Sequence, residues 1–159
     1  MIRDNLKINK EYGQKWRRIK YIYNKIYSGN FLIDQKKYYK LNFAQQKKRW
    51  LDNSLFFHGK KLENLNYEKI YFINFDYINS IILNYVLKFD EIIDLGSGYG
   101  ERMYLLKPFL KKNTKIFLGE FTSDGINAQK FIIKKYKFDN IKSFVFDYND
   151  LDKKYSFKL

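Results

Sequence analysis

The stretch Glu91–Gly100, E-I-I-D-L-G-S-G-Y-G, constrains the fold of this chain more than any other. A short apolar run bounded by charge predicts a buried strand. Asp94 comes near its end, and Gly96, Gly98 and Gly100 follow at alternate positions into a segment with helical spacing. Backbone without a Cβ adopts left-handed turns and admits close neighbours, so a strand–glycine–helix junction of this kind suits a cradle for a nucleotide-type group.

The pattern continues downstream. Arg102 to about Lys112 reads as a helix that Pro108 shortens, and Lys115–Glu120 as a second strand. Asp124–Tyr136 reads as a helix burying Ile126, Phe131 and Ile132, and Ile141–Phe146 as a third strand. Strand, helix, strand, helix, strand predicts an α/β fold with a parallel sheet and right-handed crossovers. Upstream the chain reads differently, giving a division into a helical segment, 1–75, and an α/β unit, 76–159. Trp16, Ile19, Tyr23 and Ile26 recur at helical spacing up to a stop at Ser28-Gly29-Asn30. A second helix is expected from about Lys37 to Leu51, and a loop from Asn53 to Glu68. A third helix is expected with Asp76 as N-cap and Ile78, Ile81, Ile82, Tyr85 and Val86 as its apolar stripe.

Four features fall at the carboxyl ends of the three strands, where open α/β sheets bind ligands. They are the glycine loop Gly96-Ser97-Gly98-Tyr99-Gly100, Asp94, Glu120 ending the second strand, and Asp147 directly after the third. A carboxylate at Glu120 suits a ribose diol, and one at Asp147 an adenine amino group. Each is weak alone, since strand-ending carboxylates are usually solvated caps; their joint placement is what points to a site.

These segments, I-D-L-G-S-G-Y-G, L-G-E-F-T and F-V-F-D-Y-N-D, resemble the first three motifs of class I S-adenosylmethionine-dependent methyltransferases. The resemblance covers roughly Tyr77–Leu159 and implies the first three strands of that Rossmann-like fold. It implies S-adenosylmethionine as cofactor and methyl transfer as the reaction. Gly96, Ser97, Gly98 and Gly100 would form the loop beneath the methionine part, and Asp94 would anchor that loop or the cofactor's amino group. Glu120 would hold the ribose hydroxyls and Phe121 would lie beside the adenine, with Asp147 facing the adenine amino group and Tyr148 packing near the ring. The final residues, K-Y-S-F-K-L, resemble the start of that family's fourth strand. The chain is therefore expected to be an N-terminal fragment, inactive alone, marginally stable and with an exposed sheet edge. Its catalytic residues are unknown, and expected after Leu159.

A dinucleotide site for a nicotinamide-dependent oxidoreductase is the rival. Its G-x-G-x-x-G/A pattern places a small residue where Glu101 stands, and a carboxylate there would oppose a pyrophosphate. A third reading is an RNA-binding or RNA-directed methyltransferase module, motivated by a net charge of +14. That charge is discounted: it is nearly all lysine, beside abundant Asn, Ile, Tyr and Phe, as A/T-rich codons would produce. A small-molecule acceptor is therefore favoured over RNA. Trp16, Trp50 and the tyrosines near them read as core rather than as stacking platforms. His58, the single histidine, reads as an exposed loop residue. No metal-ligand spacing is completed and cysteine is absent. With neither a signal-peptide run nor a membrane-spanning stretch, a cytoplasmic protein is expected.

Overall fold

The computed structural model describes residues 6–46, 54–58, 61–65 and 67–147, with side chains described over 16–41 and 76–147. Two helices come first, α1 (Leu6–Ile26) and α2 (Phe31–Gln46), joined at Ser28-Gly29-Asn30. The second begins six residues before the expected Lys37 because its start signal is Asn30. The Asn30 side chain accepts from Ile33 N–H (3.3 Å), and its carbonyl accepts from Asp34 N–H (3.0 Å). Asp34, fully buried, then reaches back to Ser28 N–H and Oγ at 2.8 and 2.7 Å and locks the corner.

The expected loop over 53–68 is instead a hairpin followed by a helix start. Strands β1 (Ser54–His58) and β2 (Lys61–Leu65) pair antiparallel, so His58 ends a strand opposite Lys61 rather than lying in a loop. The missed signal is Gly59 between two short runs, S-L-F-F-H and K-L-E-N-L. Helix α3 spans Tyr67–Val86, so Asp76 is mid-helix and not its N-cap; its carbonyl accepts from Ser80 Oγ. Nor does the apolar stripe bury as one face. Ile82, Leu83 and Val86 pack on the core, whereas Ile78 (41% exposed), Ile81 and Tyr85 (72%) face solvent.

The second half follows the α/β pattern. Strands β3 (Glu91–Leu95), β4 (Lys115–Glu120) and β5 (Ile141–Val145) form a parallel sheet in that spatial order. Helix α4 (Glu101–Leu106) passes into a 3-10 turn (Lys107–Phe109) at Pro108, which cannot continue the α ladder. Helix α5 (Ser123–Tyr136) is capped by Thr122, whose hydroxyl accepts from Gly125 N–H (3.1 Å). The described chain is thus α/β and Rossmann-like in its second half, with β3 and β5 as the sheet edges.

The core joins both halves. Ile92, Ile116, Leu118 and Ile141 of the sheet meet Met103, Tyr104 and Ile132 of the crossover helices. Ile19, Tyr23, Phe31 and Tyr38 of the first two helices complete the cluster, α1 packing on α5 and α2 on α4. Trp16 meets Phe131 edge-on at 5.5 Å. The face Trp16–Ile19–Tyr23 is therefore core, as its spacing predicts, and so are Tyr38 and Tyr39, whereas Tyr21 and Tyr27 are exposed rather than core; Trp50 lies outside the described residues. Ile93, Leu95 and Val145 remain exposed along the two edge strands. Among the described residues no helix is long and apolar enough to cross a membrane.

Candidate cofactor-binding site

The glycine loop leaves β3 and is pinned to the end of β4. Gly96 and Ser97 N–H both donate to the Gly119 carbonyl, at 2.9 and 3.1 Å, and Ser97 Oγ donates to the same oxygen. Gly96, Gly98 and Gly100 all have positive φ (72°, 57° and 85°), the conformation that L side chains resist. Two of these glycines serve different ends. A Cβ on Gly100 would lie 2.6 Å from Leu118 Cδ1 and 2.7 Å from Tyr104 Oη, so packing demands glycine there. A Cβ on Gly98 would meet nothing within 4 Å, so the space beside it is open.

Glu120 ends β4 and is only 3% exposed. Its Oε2 accepts from Gly98 N–H (3.0 Å), and its Oε1 accepts from Thr122 N–H (2.9 Å) and Thr122 Oγ1 (2.7 Å). The loop and the neighbouring strand's carboxylate, matched by spacing alone in the sequence, are therefore in direct contact. Of the roughly four lone-pair positions of a carboxylate, three are used by the protein. A diol accepted through both hydroxyls would have to replace the Gly98 N–H.

Two residues that the sequence reading missed hold this arrangement. Gly125 faces the Glu120 side chain: a Cβ would come 2.4 Å from Glu120 Cγ. Gln129, fully buried, donates from Nε2 to Ser97 Oγ (2.9 Å) and to the Gly98 carbonyl (2.7 Å), bracing the loop from α5. Its Oε1 is buried with no hydrogen-bond partner among the described residues. The available signal was a polar side chain at 129, in helical register with the buried Gly125 and Ile132.

Asp94 lies within β3 beside Leu118 in the register and is half-buried. Burial raises its carboxyl above the ordinary range, and the Arg102 guanidinium partly offsets this. Phe121, 44% exposed, stands at the rim next to Glu120. Asp147 is half-buried one residue beyond Phe146, whose N–H extends the β4–β5 pairing by donating to the Glu120 carbonyl (3.1 Å). Tyr148 lies outside the described residues.

Glu101 departs from its expected place facing the helix start. It is the first residue of α4, but its carboxylate accepts from Tyr99 Oη (2.5 Å) and Gln35 Nε2 (3.2 Å). Gln35 of α2 in turn accepts from Tyr23 Oη of α1. Burial pushes the Glu101 carboxyl up to about 8, against the opposing pulls of Arg102 and the Gln35 hydrogen bond. A buried polar chain, Tyr23–Gln35–Glu101–Tyr99, thereby ties the first two helices to the glycine loop.

No protein-family model matches the chain, and no curated protein matches it. Among solved structures, a SAM dependent methyltransferase from Aquifex aeolicus matches at 13% identity and a TM-score of 0.40. That match covers 48% of this chain and 47% of the other, less than half its length. A likeness so slight carries no argument about function.

Proposed function

We propose that the chain binds S-adenosylmethionine at the carboxyl ends of β3, β4 and β5, as part of a methyltransferase acting on a small-molecule nucleophile. The observation behind this reading is the bond from Gly98 N–H to Glu120, with open space where a Gly98 side chain would stand. Gly96, Ser97 and Gly98 would underlie the methionine part, with Gly100 fixing the turn by packing. Glu120 would take the ribose hydroxyls, and Asp94 the loop or the amino group. Phe121 and Tyr148 would border the adenine, and Asp147 would accept from its amino group.

The donor set fits a cation better than an anion. Asp94, Glu120 and Asp147 all belong to the strand ends, so a sulfonium is favoured there over a pyrophosphate by simple attraction. Glu101 no longer enters that contrast, since its carboxylate is turned under α2. When bound, the sulfonium supplies an activated methyl group. The residues of this chain contribute orientation, which holds the reacting partners in line and replaces a bimolecular encounter.

Calorimetric titration separates this reading from its rival. S-adenosylhomocysteine is expected to bind, and NAD neither to bind nor to displace it. Binding of NAD in preference to S-adenosylhomocysteine would overturn the assignment in favour of a nicotinamide site.

A further inference from the structure

The excess of positive charge is unevenly placed. Where β3 and β4 begin, lysines have partners: Lys111 pairs with Asp90 (2.8 Å) and Lys115 with Glu91 (2.7 Å). On the described parts of α1 and α5 they have no acidic partner. Arg17, Lys20, Lys25, Lys130 and Lys134 are exposed, Lys135 is half-buried, and no carboxylate pairs with them among the described residues. The single acid among the described side chains of these two helices is Asp124, in the first turn of α5. Codon bias adds lysines throughout a chain; it does not clear acids from one face.

The two helices that carry these cations pack against each other. Lys135 Nζ donates to Asn24 Oδ1 (2.9 Å) and sits 4.1 Å from the centre of the Tyr27 ring, and Tyr27 Oη donates to the Lys135 carbonyl. Trp16 against Phe131 closes the seam below. Lys130 and Lys134 are one helical turn apart on the outer side of α5, about 6 Å along its axis. Arg17 and Lys20 lie on the outer side of α1, and Tyr21 next to them is 67% exposed. Cations repeated along two joined helices, with an exposed aromatic ring on α1 near two of them, match a chain of phosphates carrying stackable bases. An anionic bilayer would instead favour apolar side chains able to enter it, and a tyrosine ring suits stacking better.

We propose that the joined surface of α1 and α5 is a docking face for the phosphodiester backbone of a single-stranded nucleic acid. The proposal concerns a different surface from the strand-end site and holds whether or not that site binds a cofactor. The test is fluorescence anisotropy of a labelled oligouridylate of about twenty nucleotides across a salt series, using the full chain. Reversing Lys20, Lys130 and Lys134 to Glu is expected to weaken binding sharply. The slope of log affinity against log salt should flatten by about 0.7 for each phosphate contact removed. Reversing Lys88, Lys112 and Lys142, an equal change in net charge elsewhere, should leave most of the affinity. Tyr21→Ala should lower affinity about five-fold or more while keeping the slope, because stacking releases no counterions. Circular dichroism establishes that each variant is folded, and Lys→Gln changes at the same positions replace any that is not. Equal losses from the two charge sets would show bulk attraction and overturn the proposal, as would binding to phosphatidylserine vesicles without binding to the oligonucleotide.

Discussion

The turn after β3 and the corner between α1 and α2 are both built around glycine, and they differ in what depends on them. At the corner, Gly29 has φ 86° and open space around it, and the local work is done by Asn30 and Asp34. At the turn after β3, Gly100 is enclosed by Leu118 and Tyr104 while Gly98 opens outward. One glycine there belongs to the core and the other to the site. A glycine in a motif can thus answer to packing or to a ligand, and only its surroundings distinguish the two.

The largest effect expected from that contrast is at Gly100. Gly100→Val forces a branched side chain into Leu118 and Tyr104 at a positive φ, costing about 3 kcal/mol or more of stability. At Gly98→Val the added Cβ meets no neighbour and the positive φ costs about 1–2 kcal/mol, yet the substitution should abolish binding of S-adenosylhomocysteine. Urea denaturation of both variants, with calorimetry on the one that folds, checks the division. If Gly98→Val binds like the parent, the open space is not the pocket.

Next in size is the carboxylate opposite Gly98. Glu120→Ala should weaken cofactor binding by about 2 kcal/mol, roughly thirty-fold in Kd, through lost charge-assisted hydrogen bonds. Because Gly98 and Thr122 N–H would also lose their acceptor, Glu120→Gln serves as a companion that keeps the shape of the side chain. Unchanged affinity in both variants would remove Glu120 from the site.

The tie between halves comes third. Gln35→Ala leaves Tyr23 Oη and Glu101 short of a partner and should cost about 1–3 kcal/mol, read from the denaturation midpoint. A neutral result would mean that the first two helices are held without need of the Gln35 bridge.

The last effect is pH-dependent. Glu101 rises from an ordinary carboxyl to about 8 on folding, so the fold favours its protonated form. The sign follows: stability from this group is complete below the unfolded value near 4.5 and declines as pH rises through about 8. Glu101→Gln removes that decline. The variant should match the parent near pH 5 and melt at a higher temperature than the parent near pH 9. Parallel melting curves for the two proteins across that range would show that Glu101 is solvated rather than buried.

The two halves also differ in how much could be read in advance. Strand, glycine loop and helix over 91–106 were legible because each is specified within a few residues: an apolar run, residues lacking Cβ, and renewed helical spacing. Pro108 announced the end of α4 for the same local reason. Helix α3 was misplaced because tertiary contacts, not its stripe, decide which apolar residues are covered: Ile82 and Val86 face the core while Ile78 and Tyr85 do not. Gln129 and Gly125 escaped notice because their partners, Gly98 and Glu120, are distant in sequence and adjacent only once α5 lies on the sheet.

By itself the sequence determined the order of strands and helices from β3 onward, the position of the turn after β3, and the charged residues at the strand ends. These follow from backbone sterics and short-range periodicity, which act within a single element. Tertiary structure alone decided that Glu120 would be bonded to Gly98, that Glu101 would be drawn under α2, and that α1 would pack on α5. Each of those depends on hydrogen bonds and packing between segments far apart in the chain, and no local pattern encodes such a meeting.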